Sequence, residues 1–144
     1  MTTSQHRLTI QWGDCDPAGI VYYPRYLAMF DDSTVAMFRN VLGLTKPEMQ
    51  KRFGIVGYPM VDTHTKFFVP STFGDEVVIE TRITAFHRSS FELHHRLLRD
   101  GNVLAVEGFD KRVWVGRHPD DPARIKGREI PQEVIERFNE VQNG

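Results

Sequence analysis

The chain has 144 residues, of which 40% are hydrophobic and 26% charged, and its formal net charge is −1. This composition is ordinary for one globular domain, expected over residues 1–144, and it excludes a global basic surface of the kind that binds nucleic acid. The single cysteine, Cys15, excludes an intrachain disulfide and a cysteine-based zinc site. The N-terminus lacks an apolar signal core and no apolar run reaches membrane-spanning length, so we expect a cytoplasmic protein that does not bind membranes.

A strand and a tight acidic loop are predicted at the start of the chain. Residues 6–12 alternate, with Leu8, Ile10 and Trp12 on one face, as in a half-buried strand. Two glycines in the loop that follows can take a positive φ without a Cβ penalty, so the loop can fold back sharply. We therefore expect the chain to turn back just before the first helix.

Two helices are predicted next. Apolar residues recur at helical spacing from Pro24 to about Leu42, and Gly43 is a plausible C-cap. Proline suits the first turn of this helix, because its missing N–H would have no partner there anyway. Since the apolar stripe is wide, we expect the helix to be mostly covered. A shorter helix is predicted over residues 46–53, ending at Gly54.

The rest of the chain alternates with a period of two before it returns to a helical pattern. Predicted strands cover residues 60–69, 77–84, 91–97 and 103–115, with a hairpin turn at residues 100–102. Residues 117–128 are predicted to form a polar loop, and Pro131 opens a C-terminal amphipathic helix. One long apolar helix followed by four strands with short connections predicts an α+β fold, in which an antiparallel sheet packs on the helix.

The acidic loop carries the most specific motif of the chain. Residues 13–26 read GDCDPAGIVYYPRY, which closely resembles the active-site loop of the 4-hydroxybenzoyl-CoA thioesterases, a hotdog-fold family. Further motifs of that family follow in the expected order: GIVG at 54–57, FGDE at 73–76 and SF at 90–91. The resemblance covers most of the chain and is weak near the C-terminus. It implies a hotdog fold, in which the sheet wraps around the long helix and two subunits join into one continuous sheet.

The resemblance implies a catalytic role for Asp16, and the start of the first helix suggests one for Tyr23. Asp16 occupies the position of the family's nucleophile, and the N–H of Tyr23 is the best candidate donor to the oxyanion because Pro24 has none. From the residues alone, Asp14 and Asp16 could instead be turn or N-cap residues. However, Asp16 lies eight residues ahead of Pro24, too far for a cap. Direct attack by Asp16 and deprotonation of water by Asp16 both remain open.

Three further residues are implied to bind the substrate. Asp31 matches a family acid near the distal end of the aromatic pocket, where a ring hydroxyl could bond. Tyr58 occupies a pocket-lining position at which the family has a smaller residue. Arg88 falls in the stretch that contributes bases toward the phosphates of CoA, although a solvated hairpin turn explains it nearly as well. Three later basic residues could add positive charge: Arg124, Lys126 and Arg128.

The function implied by the resemblance is hydrolysis of an aromatic, 4-hydroxybenzoyl-like acyl-CoA by a homodimer or homotetramer without a cofactor. We expect no metal, because the adjacent His94 and His95 point to opposite faces of a strand. Two alternatives stay open: a broad thioesterase for short aliphatic acyl-CoA or acyl-carrier substrates, and a non-catalytic acyl-CoA-binding module. A hotdog dehydratase is disfavoured, because residues 24–43 contain no histidine.

Overall fold

The computed structural model describes residues 4–143 and combines helices with an antiparallel sheet. Its helices are α1 (Pro24–Leu42), α2 (Lys46–Phe53) and α3 (Gln132–Asn143). Its strands are β1 (Ser4–Thr9), β2 (Met60–Phe67), β3 (Glu76–Phe86), β4 (Ser90–Arg99), β5 (Val103–Val113), β6 (Val115–Arg117) and β7 (Ile125–Gly127). Within this part of the chain, no helix is both long enough and apolar enough to cross a membrane.

Five of the strands form one sheet in the order β1-β3-β4-β5-β2, and every neighbouring pair is antiparallel. The turn between β4 and β5 has Asp100 at φ 45° and Gly101 at φ 88°, the left-handed backbone that a tight hairpin needs. β6 and β7 pair with each other. β2 lies at one edge of the sheet, so its outer backbone groups are not paired with any strand of residues 4–143.

Helix α1 lies across one face of the sheet, against β1 and β3. Its buried residues recur at spacings of three and four: Tyr26, Met29, Phe30, Ser33, Thr34, Met37, Phe38 and Val41. The N-terminal half packs with β1 and β3, and the C-terminal half packs with α2, α3 and Trp114. Leu27 and Asp32 are exposed, so the helix is covered on one side only and is less enclosed than we expected.

Most of the sequence-predicted elements are confirmed. The strand predicted over residues 103–115 is broken at Trp114 into β5 and β6, and two other predictions are wrong. β1 ends at Thr9 instead of continuing through Trp12, whose side chain is 76% exposed. The reason is local: the Asp14 carboxylate accepts a hydrogen bond from the Gln11 N–H (2.8 Å), and the chain enters a 3₁₀ turn at Trp12–Asp14. The predicted polar loop after residue 117 contains β7, which closes a small hairpin with β6.

Candidate active site

The acidic loop is a miniature hairpin that leads directly into α1. The N–H of Asp16 donates to the carbonyl of Ile20 (2.9 Å), and the N–H of Tyr22 donates to the carbonyl of Asp14 (2.8 Å). Gly19 stands at the tip with φ 80°, a conformation that side chains with a Cβ rarely adopt. Because the chain folds back over so few residues, Asp16 is held beside the residues that begin the helix.

The Asp16 side chain is oriented by one hydrogen bond and keeps one oxygen free. Its Oδ1 accepts from the N–H of Ala18 (2.9 Å), while Oδ2 has no hydrogen-bond partner among residues 4–143. The hairpin is anchored in turn, because the N–H of Val21 donates to the carbonyl of Ser71 (2.9 Å) ahead of β3. A half-buried carboxylate with a fixed orientation and an open oxygen is a suitable nucleophile or general base.

The N–H of Tyr23 is free at the start of α1. Neighbouring amides are occupied: Tyr22 donates to Asp14, Arg25 donates to the Tyr22 carbonyl (2.8 Å) and Tyr26 donates to the Tyr23 carbonyl (3.1 Å). Within residues 4–143 the Tyr23 N–H has no acceptor. A free N–H at the positive end of a helix can stabilise a developing oxyanion. The fold therefore places Asp16 and the Tyr23 amide at the same end of α1.

Asp31 is paired with a buried arginine. Its Oδ1 accepts from a terminal guanidinium nitrogen of Arg112 at 2.7 Å, and the Arg112 side chain is only 7% exposed while that of Asp31 is 49% exposed. Asp31 Oδ2 has no partner among the described residues, so this acid presents one free acceptor at the open side of α1. The sequence analysis did not select Arg112, because Asp31 and Arg112 are 81 positions apart.

Tyr58 lies in the core beneath this ion pair and is only 3% exposed. Its ring stacks on Phe38 (4.8 Å between centroids), the Arg112 guanidinium lies over it at 5.5 Å, and its carbonyl accepts from Arg112 (3.2 Å). Burial raises the pKa of Tyr58 to about 12, although the charge of Arg112 opposes the shift and that of Asp31 adds to it. Tyr58 therefore stays neutral and supports Arg112 from below, rather than forming an open pocket wall.

Arg88 sits in the turn between β3 and β4, with its backbone fixed and its side chain exposed. Its carbonyl accepts from the N–H of Ile130 (2.8 Å), and the structure shows no ion pair for its guanidinium within residues 4–143. Arg124 and Lys126 are likewise exposed. Arg128 is not available to a ligand in the same way, because it donates to the carbonyls of Gly54 and Arg117 (3.0 Å each).

A buried hydrogen-bonded chain links α1 to the edge strand β2. It runs from Ser33 through Thr81 (2.7 Å), His95 (2.8 Å) and Asp110 (2.8 Å) to Thr63 (2.7 Å). Burial by itself raises the pKa of Asp110, but the hydrogen bond and charge of His95, the hydrogen bond from Thr63 and the charge of Arg112 together hold it below its usual range. No sequence motif marks this chain, because its five members lie on five different elements.

Gly108 makes room for this chain beneath α1. The ring of Phe30 stacks on that of His95 with centroids 4.6 Å apart and planes 4° from parallel. A Cβ on Gly108 would come within 2.8 Å of the Phe30 ring. Phe30 can therefore pack flat on His95 because position 108 is a glycine. A larger residue there would push α1 away from the sheet.

Asp16 and Tyr23 lie outside two grooves of the described chain. A groove of about 930 Å³ lies along β1 and β3, lined by residues such as Arg7, Asp75 and Glu80, and a smaller one of about 200 Å³ lies beside α3. Neither is lined by Asp16 or Tyr23. The face that contains them holds exposed apolar side chains of α1 and β2, including Leu27, Phe67 and Val61.

The chain matches the family model of the thioesterase-like superfamily over residues 10–138 and belongs to that superfamily. It is 34% identical to the 4-hydroxybenzoyl-CoA thioesterase of Pseudomonas sp. strain CBS-3, over 93% of this chain and 94% of that protein. It is 30% identical to the 1,4-dihydroxy-2-naphthoyl-CoA hydrolase of Synechococcus elongatus, over 74% of this chain and 77% of that protein.

Solved structures of similar proteins agree with the fold. A 4-hydroxybenzoyl-CoA thioesterase, crystallised as an aspartate-to-asparagine variant with 4-hydroxybenzoyl-CoA, superposes with a TM-score of 0.84 and 31% identity, over 93% of this chain and 96% of that one. A gentisyl-coenzyme A thioesterase superposes with a TM-score of 0.78 and 29% identity, over 91% and 98% of the two chains. The family resemblance of the acidic loop and the hotdog α+β fold are therefore confirmed.

Proposed function

We propose that the protein hydrolyses aromatic acyl-CoA thioesters to the free acid and CoA, with Asp16 and Tyr23 at the reacting carbonyl. The observation that carries the proposal is that Asp16 and the Tyr23 amide lie at the same end of α1. Among residues 4–143, Asp16 Oδ2 has no hydrogen-bond partner and the Tyr23 N–H has no acceptor. The similar enzymes named above act on 4-hydroxybenzoyl-CoA, gentisyl-CoA and 1,4-dihydroxy-2-naphthoyl-CoA, which share a hydroxylated aromatic ring.

Thioester hydrolysis needs an oxygen nucleophile and a donor for the negative charge that develops on the carbonyl oxygen. In our proposal the Tyr23 N–H donates to that oxygen, where one such donor typically contributes about 10²–10³ in rate. Asp16 either attacks the carbonyl carbon, with water later cleaving the anhydride, or takes a proton from an attacking water. In both routes the bond to sulfur breaks and CoA leaves as a thiolate, so the step requires no strong general acid.

We further propose that the acyl site is completed by a second copy of the chain paired along β2. The free edge of β2 and the exposed apolar side chains beside it, such as Val61 and Phe67, favour strand pairing that buries this surface. A two-fold axis at that edge runs the two α1 helices antiparallel above one continuous sheet. Whether two such dimers form a tetramer stays a prediction from the sequence.

The spacing along α1 supports such a composite site. Eight residues separate Tyr23 from Asp31, which corresponds to about 12 Å at a rise of about 1.5 Å per residue. That span is longer than a hydroxybenzoyl group itself, which favours contact of the ring hydroxyl with Asp31 of a second copy. With antiparallel helices, Asp31 of the second copy approaches Tyr23 of the first.

The other end of the substrate is assigned to exposed bases. We propose that Arg88, with Arg124 and Lys126, attracts the phosphates of CoA. Their guanidinium and ammonium groups are exposed on the β3–β4 turn and at the start of β7, and they have no ion pair among the described residues. The position of Arg128, which is bound to backbone carbonyls, argues against a similar role for it.

A cytoplasmic location also stays a prediction.

A turnover panel tests the proposed function. We expect kcat/KM for 4-hydroxybenzoyl-CoA and benzoyl-CoA to exceed that for hexanoyl-CoA by at least about tenfold, because this face offers the rings of Tyr23 and Phe67 to an aromatic acyl group. Release of the CoA thiol is followed with a thiol reagent. Faster turnover of hexanoyl-CoA would support a broad aliphatic thioesterase instead, and saturable binding of all three esters without thiol release would support a binding module.

Hybrid dimers test the composite site. Copies carrying Asp16→Asn and copies carrying Asp31→Asn are co-expressed with different affinity tags, and the mixed dimer is purified through both. If the second copy supplies Asp31, one site of the hybrid keeps both aspartates, so we expect about half the wild-type kcat and the wild-type ratio of 4-hydroxybenzoyl-CoA to benzoyl-CoA turnover. A hybrid with the ratio of the pure Asp31→Asn protein would contradict the arrangement.

A further inference from the structure

We propose that Arg112 is a specificity-determining residue, which keeps Asp31 as an acceptor for a ring hydroxyl and is itself a latent site for a ring carboxylate. This inference rests on the proposed function. It concerns the acyl group that the site accepts, and no step of the hydrolysis itself.

The contacts of Arg112 fix its guanidinium under the open side of α1. One terminal nitrogen is 2.7 Å from Asp31 Oδ1, the other donates to the Tyr58 carbonyl at 3.2 Å, and the plane rests over the Tyr58 ring. Nε is buried and has no hydrogen-bond partner among the described residues. The guanidinium therefore has donor capacity left over, and its one direct ionic partner in this part of the chain is Asp31.

The Asp31–Arg112 ion pair gives the site a preference for substrate rings that carry a hydrogen-bond donor. Arg112 holds one oxygen of Asp31 and leaves Oδ2 to accept a hydrogen bond, which a ring hydroxyl can donate. Asp110 lies two residues before Arg112 on the same face of β5, so a second carboxylate faces this region from within the sheet. A carboxylate on the substrate ring would meet two acids and a cation that is already neutralised. The intact site thus accepts hydroxylated rings and rejects carboxylated ones.

Replacing Asp31 by a neutral residue should reverse this preference for hydroxylated over carboxylated rings. The buried charge of Arg112 then lacks its direct partner, and a buried unpaired cation is costly. A carboxylate on the ring of the substrate can replace the lost acid and form the charge-assisted hydrogen bonds that Asp31 made. Misfolding of the variant could not produce this result, because the expected effect is a gain: the variant turns over a carboxylated ester that the wild-type protein rejects.

The test compares benzoyl-CoA, 4-hydroxybenzoyl-CoA and 4-carboxybenzoyl-CoA on the wild-type protein and on Asp31→Asn. Relative to benzoyl-CoA, we expect kcat/KM of the variant to fall about tenfold or more for the hydroxyl ester and to rise about tenfold or more for the carboxyl ester, the range of a hydrogen bond to a charged group. Asp31→Ser, with a shorter neutral side chain, should change the ratios in the same direction. The double variant Asp31→Asn/Arg112→Met should lose the gain for the carboxyl ester.

A matched control removes a different acid that is paired with an arginine. Glu80 and Arg96 form an ion pair of 2.9 Å on the opposite face of the sheet, so Glu80→Gln should leave both ratios unchanged. If the wild-type protein hydrolyses the aromatic esters but neither Asp31 variant improves on 4-carboxybenzoyl-CoA, the role of Arg112 is refuted and the proposed function stands. If the wild-type protein hydrolyses none of the esters, the proposed function fails and this inference fails with it.

Discussion

Asp16→Asn is expected to lower kcat for 4-hydroxybenzoyl-CoA by at least about 10³-fold, with only a modest change in KM, as for removal of a nucleophile or its base. Asparagine has the same shape and its side-chain carbonyl can still accept from the Ala18 N–H, so the hairpin should keep its conformation. The amide carries no negative charge and can neither attack the thioester nor take a proton from water. The measurement is the rate of CoA release at saturating substrate.

Asp14→Asn is the matched control for this experiment. Asp14 lies in the same loop, but its carboxylate accepts from the Gln11 N–H and shapes the 3₁₀ turn. Asparagine can keep that hydrogen bond, so we expect kcat to stay within about threefold of wild type, which corresponds to a few tenths of a kcal/mol. Retention of more than about a tenth of the wild-type kcat by Asp16→Asn would remove Asp16 from the catalytic role.

The loop and the helix could be predicted from the sequence because their determinants are local. Gly19, at φ 80°, lies where the chain reverses, Pro24 begins α1, and Gly43 ends that helix with φ 70°. Gly13, which we also expected to take a positive φ, does not. Period-two alternation identified β3 and β4, including the opposite orientations of His94 and His95. Alternation failed where a local contact outweighed it, at the Asp14 turn that ends β1 early.

The polar contacts between elements could not be predicted, because they depend on register. Asp31 meets Arg112 only once α1 has crossed the sheet, and His95 meets Asp110 only through the pairing of β4 with β5. In a strand pattern such inward polar residues look like interruptions of the apolar face. The orientation of Tyr58 is similar: the resemblance suggested a pocket-lining position, but the ring stacks on Phe38, meets Phe91 edge to face and is buried in the core.

The buried chain between α1 and β2 is expected to be a major source of stability. Asp110→Ala leaves the Nε2 of His95 and the hydroxyl of Thr63 without their partner, in a region where His95 is completely buried. Removing one member of a buried charge pair typically costs about 3–5 kcal/mol, and we expect a loss of that size in the free energy of unfolding. Urea titrations at a fixed protein concentration measure it, because the stability of the proposed dimer would depend on concentration.

The same strands offer a matched control on their other face. Glu107 contacts His94 at 2.8 Å, the same histidine–acid geometry, but both side chains are partly exposed. Because water can solvate either group when the other is removed, Glu107→Ala should cost less than about 1 kcal/mol. Equal losses for the two variants would mean that burial of the His95–Asp110 pair adds nothing to stability.

The pH dependence of stability gives a second test of this pair. Since the pKa of Asp110 is held below its usual range in the folded state, its contribution is fully present above the unfolded-state pKa and is lost as the pH falls below about 4. We therefore expect the wild-type protein to lose more stability than Asp110→Ala between about pH 5 and pH 3. Parallel curves over that range would show that Asp110 has the same pKa in both states, and the charged hydrogen bond to His95 would then contribute nothing to folding.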